Sequence, residues 1–186
     1  MAKFNNKPIF TLGHSNSAFK TIQEILCQTG IQTLVDVRSY PFSEMSPNFD
    51  KPKLREILPA VGITYHHLKE LGGKGKRALF RSPNTGLGKR WQGYADYMLT
   101  EEFEQGMLRL LALITIGSVV VFCAEENWTN CHRRFISDIL QIRGYKVIHL
   151  DHQSKWLEHT ITNNLEVRGN KVIYPAIGEQ LSFLLS

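Results

Sequence analysis

Apolar residues along this chain change period repeatedly, from short runs to a spacing of three and four and back again, as strands alternating with helices would. "PIFTLGHS", with Ile9, Phe10 and Leu12, predicts a first strand, and Ser15, Asn16 and Ser17 after it offer N-cap oxygens. Phe19, Ile22, Ile25 and Leu26 then predict a helix. Cys27 is expected to be structural on its apolar side, and Gly30 is placed for a left-handed end. "IQTLVDVRS" predicts a buried strand stopped by Pro41, and the proline-punctuated "PFSEMSPNFDKPK" a surface loop. Leu54, Ile57, Leu58 and Val61 mark a second helix ended by Gly62, and "ITYHHL" a third strand. "GGKGKRALFRSPNTGLGKR" is glycine-rich, basic and long for a connection inside a compact domain. "WQGYADYMLTEEFEQGMLRLLALI" supplies one or two helices, "SVVVFCA" a fourth strand, "CHRRFISDILQIRG" its helix and "YKVIHLD" a fifth strand. "EVRGNKVIYP" reads as a hairpin turning at Gly169 and Asn170, with a last short helix after it.

Such alternation predicts an α/β fold: a single domain over residues 1–186, its core about 9–151, with a mainly parallel five-stranded sheet and helices on both faces. The C-terminal hairpin and helix are appended to it. With 186 residues, 42% of them apolar, the chain can bury a substantial core. No repeat, linker or low-complexity segment interrupts it.

The N-terminus lacks the apolar region of a signal peptide. The longest apolar candidate, "MLRLLALITIGSVVVFCA", is broken by Arg109, Thr115, Gly117 and Ser118, so no membrane partner and a cytoplasmic location are expected. Three cysteines without a secretory signal argue against a disulfide scaffold and for reactive or metal-bound thiols. A net charge of +5 permits anionic ligands without specifying nucleic acid.

In an open parallel sheet, ligands bind outside the carboxyl ends of the strands. There the chain places Gly13, His14 and Ser15; Asp36, Arg38 and Ser39; Tyr65, His66 and His67; Cys123 and Glu125; and His149 and Asp151. His66 and His67 are adjacent in a strand and face opposite ways, so at most one joins a site. In "VVVFCAEENWTNCHRRFISDIL", Cys123 ends a strand and Cys131 opens a helix whose first turn holds His132, Arg133 and Arg134. Helix amides and nearby cations favour a thiolate there, while Glu125 and Glu126 oppose one. Spacing leaves open which thiol ionises first.

The leading expectation is an enzyme with a small anionic substrate. Cys123 would be its nucleophile, Cys131 a resolving or supporting thiol, and His14 or His132 the proton-transfer group. Arg38 and Arg133 would contact the anion, with Ser15, Asp36, His66 and Lys74 at the substrate. No cofactor is called for. Three alternatives stay open. Glu125 could be the acid or base of a hydrolase. A zinc site could use Cys123, Cys131 and His14 or His132, although seven residues separate the two cysteines where zinc knuckles place two to four. A nucleic-acid module could use the basic 73–81 loop with Trp91 and Tyr94 stacking on bases.

The stretches "TLGHS", "LVDVRSYPFS", "GITYHHLKELGG", "WQGYADYM" and "CAEENWTNCHRRFISDIL" resemble, in order, the bacterial family catalogued as domain of unknown function four-eight-eight. The resemblance runs from about Ile9 to about Asp151. It implies no activity, but it marks Gly13, His14, Ser15, Asp36, Arg38, Pro41, Gly72, Gly73, Cys123, Glu125, Cys131, His132 and Arg133 as positions of interest. The order helix, strand ending Asp-x-Arg, strand ending in cysteine, helix, strand is also similar to the rhodanese-like domain. That likeness implies a nucleophile at Cys123, whereas the loop "AEENWTN" departs from it in length and in its two acids.

Overall fold

The computed structural model describes residues 7–42, 44–153 and 155–177. All five expected strands form: β1 (Ile9–Gly13), β2 (Thr33–Asp36), β3 (Thr64–His67), β4 (Val119–Cys123) and β5 (Val147–Leu150). They pair in parallel, β3-β2-β4-β1-β5, with Gly13 opposite Cys123 and Thr11 opposite both Val121 and His149. A sixth strand, β6 (Trp156–Glu158), adds antiparallel to the free edge of β5. All three of its residues are exposed, so it carries no hydrophobic alternation by which the sequence could have announced it. Strands β7 (Glu166–Arg168) and β8 (Lys171–Ile173) form the expected hairpin, with Gly169 at φ +62° in its turn. The helix expected after it falls on residues 178–186, outside those described.

Side-chain alternation divides the core into two layers. Phe10, Leu12, Leu34, Val120 and Phe122 pack with α1 (Phe19–Gln28) and α2 (Lys51–Ile57). Ile9, Val35, Val119 and Val121 pack with α3 (Lys89–Tyr97), α4 (Glu101–Ile116) and α5 (Arg133–Ile142). Burial of these aliphatic stripes, at roughly 1.5–3 kcal/mol per side chain, is the main favourable term holding helices to sheet.

Two local expectations need correction. The N-cap of α1 is Ala18, with no side-chain cap, because Ser17 Oγ bonds His152 Nδ1 at 2.7 Å and Ser15 takes φ +47°. Cys27 is exposed rather than packed, since Ile22, Ile25 and Leu26 define the buried side of the helix. Gly30 and Gly62 do take the left-handed ends, at φ +64° and +76°.

Candidate functional site

A cavity of about 760 Å³ opens at the carboxyl ends of β1, β2 and β4. β1 delivers His14 and Ser15 to its wall, β2 delivers Arg38, Ser39 and Tyr40, and β4 delivers Cys123, Ala124 and Glu125. Cys131 and His132, just before α5, complete the floor. The glycine-rich segment brings Gly73, Lys74, Gly75 and Lys76 across it, and the start of α3 adds Lys89, Arg90 and Trp91. Ser15 holds its positive φ while its amide donates to Ala124 O at 2.8 Å, a strained non-glycine residue at the rim.

The two thiols are buried, free and in contact: Cys123 Sγ, Cys131 Sγ and a His132 ring nitrogen lie within 4.8 Å of one another. His132 Nε2 is 3.1 Å from Val37 O and must donate to it, which leaves Nδ1 facing Cys131 Sγ at 3.7 Å. Tyr94 packs edge-on against this ring, and a side chain at Gly73 would press on it from another side. Burial pushes the Cys131 thiol up, but a hydrogen bond from Cys123, His132 and Arg133 outweigh it and hold Cys131 well below its ordinary value. Cys123 is driven well above its own, first by donating to Cys131 and then by burial. Of the two, Cys131 is the thiol the site favours as the anion, with Cys123 the one that keeps its proton.

Arg133 explains where that charge is balanced. Its side chain is 0% exposed. Nε donates to Cys131 Sγ at 3.4 Å, Nη1 to Thr11 Oγ1 at 3.3 Å, and Nη2 to the carbonyls of Glu125 and Glu126. None of these partners is a carboxylate, so the sulfur is the group beside it able to carry a full negative charge. The guanidinium thus holds the cavity floor from beneath and does not line the cavity, where an anion contact had been expected. Glu125 and Glu126 turn their backbone inward, and their carboxylates meet Asn127 N and His152 instead. The repulsion expected from these acids is thereby relieved.

Arg38 is held by a two-point fork on Asp36, with Nη2 to Oδ2 at 2.6 Å and Nε to Oδ1 at 2.9 Å, and Nη2 also reaches Phe49 O. Nη1 donates to His14 Nε2 at 3.2 Å, leaving one Nη1 hydrogen for a ligand. Asp36 is buried behind Arg38 and also accepts from Tyr65. It positions the arginine and touches no cavity. His14 stacks on Phe49 at 4.2 Å between centroids and bonds Ser15 O through Nδ1. Burial and then Arg38 lower its pKa to about 4. With Nε2 occupied, it is a neutral acceptor orienting Arg38. His66 does not line the cavity, and His67 bonds Arg38 O and Lys51 Nζ. Tyr94 is buried with its hydroxyl on Leu71 O, so it offers no face to a nucleic-acid base.

Arg38, Lys74, Lys76, Lys89 and Arg90 against Glu125 give the cavity a strongly positive lining. Sequence reasoning had placed only Arg38 and Lys74 here. The "GKR" that opens α3 carried the missing signal, since Lys89 and Arg90 stand in the helix's first turn at the sheet edge. The same charge bears on a metal. Cys123, Cys131 and His132 supply three donors, both nitrogens of His14 are occupied, and Arg133 covers one sulfur. His14 is therefore closed to a metal, and the surrounding lysines and arginines disfavour a cation beside the sulfurs.

A family model described as Domain of unknown function DUF488 matches residues 18–140, from just before α1 into α5. The match takes in Arg38, the glycine-rich segment and both cavity cysteines. No curated protein and no solved structure matches the chain.

Proposed function

The chain belongs to the DUF488 family, and from that premise we propose that it is a cysteine-dependent enzyme that transfers or hydrolyses a group on a small anionic substrate. One observation carries the reading: a fully buried arginine with no carboxylate partner donates to Cys131 Sγ in the floor of a positively lined cavity. Burying a guanidinium without a negative partner is very costly, and arginine does not give up its proton. A thiolate at Cys131 relieves that cost and is at the same time the nucleophile.

Lys74, Lys76 and Arg90 draw the anion in, and the remaining Arg38 hydrogen fixes it. Cys131 Sγ attacks the electrophilic centre, forming a bond from sulfur to substrate as the bond to the leaving group breaks. The proton that Cys123 donates to Cys131 Sγ passes to that leaving group. Water or an acceptor then attacks the covalent intermediate, giving its proton to His132 Nδ1, which returns it to Cys123 as the Cys131 thiolate is released. Val37 O keeps the imidazole in the tautomer this needs. Cys123, the strand-end thiol that the rhodanese-like order pointed to, serves as hydrogen-bond donor to the nucleophile.

Native alkylation followed by mass mapping tests this, with exposed Cys27 as internal reference. Cys131 should label faster than Cys27 below about pH 8, near the unperturbed thiol value. The ratio of iodoacetate to iodoacetamide labelling should be higher at Cys131 than at Cys27, and should fall in Lys74→Ala and Arg90→Ala. A Cys131 that labels no faster than Cys27 overturns the proposal.

A further inference from the structure

Behind Arg133 lies a buried chain of polar side chains that the reaction above does not use. Asp138, on α5, accepts from Thr162 N and from Tyr174 Oη, each at 2.9 Å. His159 Nε2 is 2.9 Å from Asp138 Oδ1, His159 Nδ1 is 2.9 Å from His149 Nε2, and His149 Nδ1 is 2.6 Å from Thr11 Oγ1. Thr11 Oγ1 in turn receives Arg133 Nη1. Asp138, His149, His159, Thr11 and Arg133 are each at most 3% exposed.

For two neutral rings the hydrogens in this chain have one placement that joins every link. Arginine only donates and a carboxylate only accepts, so Thr11 takes from Arg133 and gives to His149 Nδ1. His149 Nε2 then gives to His159 Nδ1, and His159 Nε2 gives to Asp138. Burial, His159 and Arg133 hold His149 at about 2, and Trp128 stacks flat on its ring at 4.0 Å. Aligned bonds polarise one another, so the carboxylate makes Thr11 Oγ1 a better acceptor than an isolated hydroxyl.

We infer that Thr11, His149 and His159 are positioning residues, which anchor Arg133 Nη1 so that its Nε stays aimed at Cys131 Sγ. The inference rests on the proposed thiol chemistry. It assigns a role to residues outside the cavity, and His149, His159 and Thr11 all lie beyond the span of the family match. Their elements show how the fold does this: parallel pairing sets Thr11 beside His149, the residue after β6 supplies His159, and α5 contributes both Arg133 and Asp138.

The groups facing Cys131 are Cys123 from β4, His132 and Arg133 from the start of α5, Tyr94 from α3 and His149 from β5. The test leaves all of them but His149 in place. In a Cys27→Ser background, the pH midpoint of Cys131 alkylation is read by mass mapping in wild type, Thr11→Val and Thr11→Ser. Valine keeps the shape and removes the link, whereas serine restores the hydroxyl. Thr11→Val should raise the midpoint by about one pH unit, a roughly tenfold slower reaction on the acid side, as for one lost hydrogen bond to a charged group. Thr11→Ser should stay at the wild-type value.

His149→Phe keeps the stack on Trp128, changes no charge and should shift the midpoint the same way, which gives a second reading if Thr11→Val does not fold. Folded variants with an unmoved midpoint overturn the inference while leaving the thiol enzyme intact. A wild-type midpoint near the ordinary thiol value overturns the functional reading itself.

Discussion

Arg133→Met is the perturbation that isolates the balance of charge in the cavity floor. Methionine has a similar reach and no charge. The guanidinium Nε sits 3.4 Å from Cys131 Sγ. At an effective dielectric of about 20, unit charges at that separation attract by about 5 kcal/mol. The guanidinium charge is spread over three nitrogens and the cavity is open to water, so half of this, about 2–3 kcal/mol, is the better expectation. That corresponds to a rise of about two pH units in the Cys131 alkylation midpoint.

The variant also orphans the carbonyls of Glu125 and Glu126, at about 1–3 kcal/mol each, so a thermal melt must first show it folded. Stability against pH gives an independent check. The folded thiol pair holds one proton, with Cys131 depressed below and Cys123 raised above the ordinary 9.0. Between the depressed Cys131 value and 9.0 the unfolded chain binds one proton more, so stability rises with pH. Above 9.0 it binds one fewer, and stability falls. Arg133→Met should flatten the rise. A folded Arg133→Met with the wild-type midpoint and the wild-type slope would refute the pairing.

Three further outcomes follow from the same geometry. His14 is held at about 4 against an ordinary 6.5, so below 6.5 the unfolded chain takes up a proton that the folded one refuses. Stability should fall by about 1.4 kcal/mol per pH unit down to about 4, roughly 3 kcal/mol in all. Urea midpoints for wild type and His14→Phe check this, and an identical acid slope in both would be fatal to it. Asp36→Asn removes the charge beneath Arg38 and should cost about 3–5 kcal/mol, or roughly 10 °C in Tm; a loss under about 1 kcal/mol would show the fork to be dispensable. At Gly13 a Cβ would fall on the Glu125 carbonyl and crowd Arg133 Nη2. Gly13→Ala should therefore slow Cys131 labelling with Cys27 unchanged, whereas Gly30→Ala, in open space at φ +64°, should only cost about 1 kcal/mol.

The five parallel strands, the helices on both faces and the C-terminal hairpin were legible in the chain, because period, glycine punctuation and β-branched runs are local properties that neighbouring residues express by themselves. So was the rim where His14, Arg38, Cys123 and Cys131 gather, since parallel strands all end on one edge. The exposed edge strand β6 was not, having no buried face to pattern it. Nor was which of the two thiols is favoured to ionise. That depends on which sulfur Arg133 and His132 Nδ1 approach, distances of a few ångströms set by the packing of α5 against β1 and β4. The chain from Asp138 to Thr11 spans residues 127 positions apart in sequence and joins two strands, a helix and an edge segment. Sequence determined which elements form and which residues reach the rim. Only tertiary packing decided which buried charge answers which, because hydrogen bonds and pKa values respond to separation in space and not along the chain.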